Sequence, residues 1–173
     1  GLFGITLPED YGGGGSDFLS SVLVMEELMR GCVSTGNTYG AHAVLCTESI
    51  FRNGNEEQRR RFLPDLIAGK KIGALALTEP GAGSDALSLR CRAERKGDRY
   101  ILNGSKTFIT NGPVADVVLI YAKTNPEAGP KGISAFLVEE GFPGFTKGKP
   151  MKKMGVRGSP TGELFFENCE VPA

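Results

Sequence analysis

The chain has 173 residues, and its 20 basic and 20 acidic side chains leave no formal net charge. Apolar residues make up 40% and charged residues 23%, which is typical of a folded globular chain and argues against a disordered or nucleic-acid-binding protein. No apolar run reaches the ~18 residues that a membrane-spanning helix needs, and the first residues lack the pattern of a signal peptide.

The first 70 residues have the spacing of helices. Apolar residues recur at steps of three and four over residues 16–31, which predicts a helix with one buried face. A second helix is expected to begin at 34–35 and to end before Gly54, and Asn55 is expected to cap a third. Pro64 is expected to open a short last helix. The residues of the first stripe are Phe18, Val22, Met25 and Met29.

After Lys71 the period changes to two. Residues 87–94 alternate between apolar and polar side chains, which predicts a half-exposed strand. Residues 96–98 and the pair Asn103-Gly104 are typical of tight turns between antiparallel strands. Further strands are expected at 117–122, 133–138 and 164–166. The pattern therefore predicts an α+β chain, with a helical N-terminal segment followed by an antiparallel β-barrel-like domain.

Cysteine and histidine usage excludes several kinds of site. The four cysteines are far apart with no C-x-x-C pair, and His42 is the single histidine, so no zinc site is expected. We interpret the cysteines as reduced thiols. His42 lies in a helical stretch, and we expect its ring to be satisfied by neighbouring groups rather than to act in catalysis.

Residues 81–86 read GAGSDA and match the dinucleotide-binding pattern G-x-G-x-x-G/A. A true nucleotide-binding turn requires a helix directly after the glycines, whereas the following residues alternate with period two. The same segment is also compatible with a simple turn, or with a loop that binds a different ligand. The polar residues around the glycines favour a ligand, but the pattern alone leaves these alternatives open.

Three motif blocks resemble one family when they are taken together and in order. Residues 76–85 read ALTEPGAGSD, residues 100–106 read YILNGSK, and residues 108–112 read FITNG. With these blocks the chain is similar, over almost its whole length, to the acyl-CoA dehydrogenases. Residues 39–42 and 52–58 are most similar to the isovaleryl-CoA, or short branched-chain, branch of that family.

This resemblance implies an FAD-dependent oxidoreductase. Such an enzyme removes two hydrogens across Cα and Cβ of an acyl-CoA thioester, and the Cβ hydride passes to flavin N5. The resemblance also implies the domain organisation of the family, with a partial helical N-terminal domain at 1–70 and a middle β-domain at 71–173. Roles in fatty acid metabolism and branched-chain amino acid catabolism would follow.

The resemblance carries ligand-binding positions onto this chain. Thr78 would lie near flavin N1 and the C2 carbonyl, Thr110 would reach towards N5, and Phe108 would pack beside the isoalloxazine, where many relatives have tryptophan. Ser84 would also contact the acyl-CoA, and Lys131 would approach a CoA phosphate. The expected cofactor-binding residues are Leu75, Leu77, Thr78, Gly83, Ser84, Phe108, Ile109 and Thr110.

In this family the catalytic base is a carboxylate of a C-terminal helical domain, and none of the 20 acidic residues of this chain matches it. We therefore expect no catalytic residue here, Glu79 included, and we expect the chain to be part of a longer protein. The resemblance implies an electron-transferring flavoprotein as acceptor, a homotetramer, and a location in bacterial cytoplasm or mitochondrial matrix.

Two alternatives stay open at this point. One is a nucleotide-binding dehydrogenase of the NAD type that uses residues 81–86, which a helix after Asp85 would support and a strand would exclude. The other is a non-catalytic module that keeps the fold without the chemistry.

Overall fold

The computed structural model describes all residues from Gly1 to Ala173. The first part of the chain is helical, and the second part is a sheet of seven strands. The helices are α1 Phe18–Gly31, α2 Val33–Tyr39, α3 Glu48–Asn53 and α4 Glu56–Ile67, and a π-helical segment, Gly40–Thr47, joins α2 to α3. No helix of the chain combines the length and apolarity that crossing a bilayer requires.

The apolar stripe of α1 is only partly covered, which differs from the predicted buried face. Met25 and Met29 lie against Gly40 and Gly36 of the next helices, where the absence of a side chain permits close packing. Phe18 and Leu23, by contrast, are more than half exposed. Helical spacing identifies an apolar face, but it does not say which element covers that face.

The helix that follows was predicted with the right buried side. Its stripe, Tyr39, Ala43, Cys46 and Ile50, is fully buried. The π-helical turn in its middle was not predicted. There the hydroxyl of Thr47 donates a 2.8 Å hydrogen bond to the carbonyl of His42, five residues earlier and one π-helical turn away.

Helix α4 begins as predicted and continues further than predicted. Asn55 accepts a hydrogen bond from the backbone of Gln58, whose side chain in turn accepts one from the backbone of Asn55, so the two residues form a capping box. Pro64 does not open a new helix but lies inside α4. Its ring faces solvent, and the buried Leu63 and Leu66 on the other side of the helix compensate for the lost backbone hydrogen bond.

The sheet is mixed and curled into a half-barrel, which agrees with the predicted fold class except that two strand pairs are parallel. Its order is β1-β4-β2-β3-β7-β6, and β5 pairs with β4. The longer parallel pair joins β1 to β4, with Gly73 opposite Val117, and the shorter one joins β2 to β4, with Arg92 opposite Lys123. The strands are β1 Gly73–Ala76, β2 Arg92–Lys96, β3 Arg99–Thr110, β4 Val117–Lys123, β5 Ile133–Glu139, β6 Phe145–Lys147 and β7 Thr161–Pro172.

Strand β4 holds the two parts of the chain together because both of its faces are buried. Val118 and Ile120 point into the core of the half-barrel, whereas Val117 and Leu119 belong to a second core formed with the helices. The fully buried helical-side members of that second core are Leu7, Cys46, Ile50, Leu63 and Leu66. The site described below is therefore attached to a sheet that the helices support from behind.

Two predictions for the first strands were partly wrong. The strand expected at 87–94 begins only at Arg92, because Ala86–Ser88 form a short 3-10 turn and Leu87 is exposed. The turn at Lys96 to Asp98 is confirmed as the β2–β3 hairpin. Asn103-Gly104, however, is no turn.

Asn103 and Gly104 lie in the middle of β3, opposite a β-bulge of β7. Asn168, the extra residue of β7, has a positive φ of 52° and donates its backbone N–H to Asn103 Oδ1 at 2.8 Å. Gly104 has a φ of +145°, and a Cβ there would lie 2.9 Å from the backbone of Cys91. Glycine and asparagine serve a bulge and a close approach here instead of a hairpin.

Candidate functional site

The loop after β1 forms a tight, outward-facing turn. Glu79 and Ala82 exchange two backbone hydrogen bonds of 3.0 and 3.1 Å, which close the turn around Pro80 and Gly81. A Cβ added at Gly81 or Gly83 would meet no atom within 4 Å. The backbone of this loop is therefore open on its outer side, where a ligand could approach it closely.

The end of β3 carries a second unusual segment. Lys106 pairs with Leu164 and Ile109 pairs with Gly162, so β3 contains one extra residue at this point. Phe108 lies in this bulge with a φ of 56°, and 67% of the residue is exposed. A left-handed backbone and an exposed ring are both unfavourable for phenylalanine, and such strain is concentrated at functional sites.

The loop and the bulge are joined directly. The N–H of Thr107 donates a 2.9 Å hydrogen bond to the carbonyl of Thr78, so the bulge turns the backbone of β3 towards the loop instead of towards β7. The side chains of Thr78 and Thr110 are both half-buried. Their hydroxyls form no hydrogen bond inside the chain, in contrast to those of Thr124 and Thr161. Two free hydroxyl groups and one free aromatic ring thus lie on adjoining segments.

An ion pair is buried beneath the loop. Lys106 is fully buried, and its Nζ lies 2.9 Å from Glu79 Oε1. Burial alone would raise the pKa of Glu79, but hydrogen bonds from the Arg90 N–H, from Lys106 and from the Cys91 N–H outweigh burial and lower this pKa below its ordinary value. Glu79 is therefore a weak base whose carboxylate oxygens already accept three hydrogen bonds.

The remaining predicted positions differ in their surroundings. Leu75 is half-buried against the helical core. Ile109 is buried in the half-barrel core, so only its backbone can face a ligand. Ser84 is exposed further along the loop, and Lys131 is exposed in the turn before β5. The parallel pairing of β1 with β4 brings this turn and the loop to the same end of the sheet.

His42 has the structural role that we expected. Its Nδ1 accepts a 2.9 Å hydrogen bond from the N–H of Gly73, so the proton lies on Nε2, which is 2.9 Å from the carbonyl of Leu66. Burial lowers the pKa of His42 although the contact with Leu66 opposes this shift. The neutral ring therefore links the end of α4 to the start of β1.

Sequence reasoning missed the roles of Lys106 and Asn111. Asn111 is buried with a φ of 65°, and its Nδ2 donates to the carbonyls of Thr38 and Gly73 at 3.1 and 3.2 Å. Asparagine tolerates this backbone conformation, and the pair Asn111-Gly112 was the available signal. For Lys106, no pattern distinguishes a buried lysine on a strand from an exposed one.

The nucleotide-binding alternative is excluded by the segment after the glycines. Only three residues, Ala86–Ser88, follow Asp85 as a 3-10 turn, and strand β2 comes next. No helix N-terminus is available at this loop to hold a pyrophosphate. By contrast, the exposed ring of Phe108 and the free hydroxyls of Thr78 and Thr110 fit a flat ring system with polar edges, as in an isoalloxazine.

The surface formed by the loop after β1 and the bulge at Phe108 is open to solvent. A separate cavity of about 660 Å³ lies in the helical part of the chain and is lined by none of the predicted flavin residues. Its apolar lining includes Phe3, Leu28, Tyr39 and Ile67.

Comparisons with known proteins agree with the motif blocks. Residues 74–169 match the model of the acyl-CoA dehydrogenase middle domain, and residues 1–70 match that of the N-terminal domain. The chain is 55% identical over 175 residues to mitochondrial isovaleryl-CoA dehydrogenase of Pongo abelii, covering 100% of this chain and 41% of that protein.

Two solved structures are also similar. Butyryl-CoA dehydrogenase from Megasphaera elsdenii has a TM-score of 0.95 at 44% identity, covering 100% of this chain and 46% of that one. Acyl-CoA dehydrogenase complexed with FAD from Bacillus anthracis has a TM-score of 0.90 at 42% identity, covering 99% of this chain and 29% of that one. The chain thus spans less than half the length of these relatives. Sequence motifs, fold and both domain models agree that it belongs to the acyl-CoA dehydrogenase family.

Proposed function

We propose that the protein carrying this chain is an FAD-dependent dehydrogenase of short or branched acyl-CoA thioesters. The observation that carries the proposal is the hydrogen bond between Thr107 and Thr78, because it joins the strained, exposed Phe108 to a loop with a free hydroxyl. When bound, FAD would supply the hydride acceptor for the α,β-dehydrogenation. The complex of the Bacillus anthracis relative with FAD supports this choice of cofactor.

The residues of the chain would bind and orient the flavin. Thr78 would donate a hydrogen bond to the edge of the ring where negative charge builds on reduction, which favours the reduced state. Phe108 would cover the ring with its exposed face, and Thr110 would hydrogen-bond to the opposite edge. The proposed flavin-binding set is Leu75, Leu77, Thr78, Gly83, Ser84, Phe108, Ile109 and Thr110, with Ile109 contributing its backbone.

The substrate would contact the same end of the sheet. Ser84 is exposed close to the proposed flavin surface, and Lys131 offers a positive charge for a CoA phosphate. The similarity to isovaleryl-CoA dehydrogenase supports a short branched acyl group. No acidic residue of the chain is proposed as the base, since Glu79 is held by Lys106 and by two backbone donors.

The wider setting is also proposed by family relationship. The chain would divide into a helical domain at 1–70 and a β-domain at 71–173. The complete protein would form a homotetramer and would pass its electrons to an electron-transferring flavoprotein. The location would be the mitochondrial matrix or bacterial cytoplasm, and the name of the Pongo abelii relative describes that protein as mitochondrial.

The test is flavin binding and reduction by the protein expressed from its complete gene. We expect a yellow protein whose flavin absorbance bleaches anaerobically with isovaleryl-CoA, and less rapidly with a long straight-chain acyl-CoA. Thr78→Val should weaken reduction because it removes the donor but keeps the shape. A folded protein that binds no FAD would contradict the proposal and favour a non-catalytic module that retains the fold.

A further inference from the structure

The buried pair of Lys106 and Glu79 is the feature that the proposed flavin residues leave unexplained. Lys106 is 0% exposed and Glu79 is 7% exposed. Burying two charges is costly, and well-packed apolar residues would often be as stable or more stable in their place. The geometry of the pair, rather than its contribution to stability, therefore requires an explanation.

The hydrogen bonds of Lys106 surround Thr78 in the loop. Lys106 Nζ donates to the carbonyl of Leu77 at 2.9 Å and to Glu79 Oε1 at 2.9 Å. One ammonium group thus holds the residue before Thr78 and the residue after it. The next residue of β3, Thr107, binds the carbonyl of Thr78 itself.

Glu79 extends this arrangement to the start of β2. Its two carboxylate oxygens accept the N–H groups of Arg90 and Cys91 at 2.5 and 2.9 Å. Three backbone segments are therefore fixed to one another, namely the loop, the bulge of β3 and the residues that lead into β2. An apolar pair in the same volume would fill the space but would provide no directional bonds.

We propose that Lys106 is a positioning residue that sets the place of Thr78 relative to Phe108. Lys106 precedes the bulge by one residue, so the same side chain anchors the loop and the base of the segment that presents the aromatic ring. This inference rests on the proposed flavin function, and it adds that the geometry of the flavin edge depends on a lysine that does not contact the flavin.

The central variant is Lys106→Met, which keeps the length of the side chain but removes its charge. We expect FAD affinity to fall at least about tenfold, since small displacements of a binding group cost this much or more. The flavin reduction potential should also become more negative, because Thr78 would no longer be held against the edge that gains charge.

Lys147→Met is the matched control. Lys147 also bonds a backbone carbonyl, that of Ala115 at 3.1 Å, and a carboxylate, that of Glu140 at 2.6 Å, but it lies on β6. The Lys147→Met variant should lose thermal stability but keep the FAD affinity and the flavin reduction potential of the wild-type protein. A similar change in both variants would mean that the flavin responds to general destabilisation, and it would overturn the proposal.

The double variant Glu79→Gln/Lys106→Met removes the unpaired buried carboxylate that the single variant leaves behind. It should recover part of the thermal stability, because glutamine has one acceptor oxygen for the N–H groups of Arg90 and Cys91 where the carboxylate has two, but it should keep the weakened FAD affinity and the lowered potential. If Lys106→Met alone does not fold, this double variant carries the measurement. Recovery of both flavin properties together with stability would show that Lys106 is only structural and would overturn the inference.

The wild-type protein separates the two proposals. If it is folded but shows no flavin absorbance, the proposed function fails. If it binds FAD and both Lys106 variants retain its affinity and potential, the proposed function stands and the positioning role of Lys106 is wrong.

Discussion

His42 and Gly73 are linked by a 2.9 Å hydrogen bond in which the strand residue donates to Nδ1 of the ring. This bond places the only histidine of the chain at the boundary between helices and sheet. Nε2 contacts the carbonyl of Leu66 at the end of α4. The imidazole packs edge to face against the ring of Phe3, with 4.6 Å between the ring centroids. A protonated ring would place a second hydrogen against the N–H of Gly73 and would break this link.

Stability should therefore depend on pH through His42. Its folded pKa lies below the unfolded value of 6.5 because the ring is buried. The unfolded state then binds more protons, so the stabilisation is complete above about pH 6.5 and is lost as the pH falls towards the folded pKa. We expect the Tm to decline on acidification from about pH 7 to about pH 5.5, a range above most carboxyl pKa values.

His42→Phe is the control for this pH dependence. The variant should be less stable at neutral pH by about 2–6 kcal/mol, since two buried backbone groups lose partners worth ~1–3 kcal/mol each. Its Tm should vary little over the same pH range. An equal slope in wild type and variant would show that another group titrates.

Phe108→Gly should separate stability from flavin binding. Glycine adopts the φ of 56° at Phe108 without strain, and the exposed ring contributes little packing, so unfolding free energy should stay constant or rise by about 1 kcal/mol. FAD affinity should nevertheless fall at least about tenfold because the ring is lost. Both quantities can be measured by urea denaturation of the apoprotein and by flavin titration.

Val156→Gly is the matched control for that experiment. Val156 also has a positive φ, 52°, and it is 38% exposed in the loop before β7. Relief of strain there should raise stability without any effect on FAD. If Phe108→Gly binds FAD as tightly as wild type, the ring has no role in the flavin site.

Gly104→Ala should be far more damaging than Gly97→Ala. A methyl group at Gly104 would lie 2.9 Å from Cys91 Cα, in a strand whose φ of +145° alanine rarely adopts. We expect a loss of at least about 3 kcal/mol there. At Gly97 the space is open and only the left-handed conformation is unfavourable, which costs about 1–2 kcal/mol. Comparable losses in thermal denaturation would contradict the bulge geometry.

Local signals predicted the regular parts of the fold. The cap at Asn55 and the short turn at Gly97 act through neighbouring backbone groups, so a few residues of sequence contain all that is needed. Pro64 shows the limit of such rules, because the buried Leu63 and Leu66 hold a helix through it. Local propensity was correct where no distant contact opposed it.

The candidate site was proposed from motif resemblance, and the structure shows how its segments meet. Thr78, Phe108 and Thr110 were identified by resemblance, and the Thr107–Thr78 hydrogen bond explains how two distant motifs share one surface. The left-handed backbone of Phe108 could not be predicted, since phenylalanine disfavours it and only the bulge against β7 imposes it. The buried Lys106 depends likewise on partners in a different segment.

The parallel pairing of β1 with β4 has a consequence for the order in which the chain folds. The β2–β3 and β4–β5 ladders join strands that are close in the sequence. Strand β1, by contrast, can pair with β4 only after the chain between them has folded back and brought Val117 beside Gly73. Contacts between distant residues form late because closing long loops is entropically costly. The Thr78 loop leaves the end of β1, so in refolding it should be among the last segments to gain protection from hydrogen exchange.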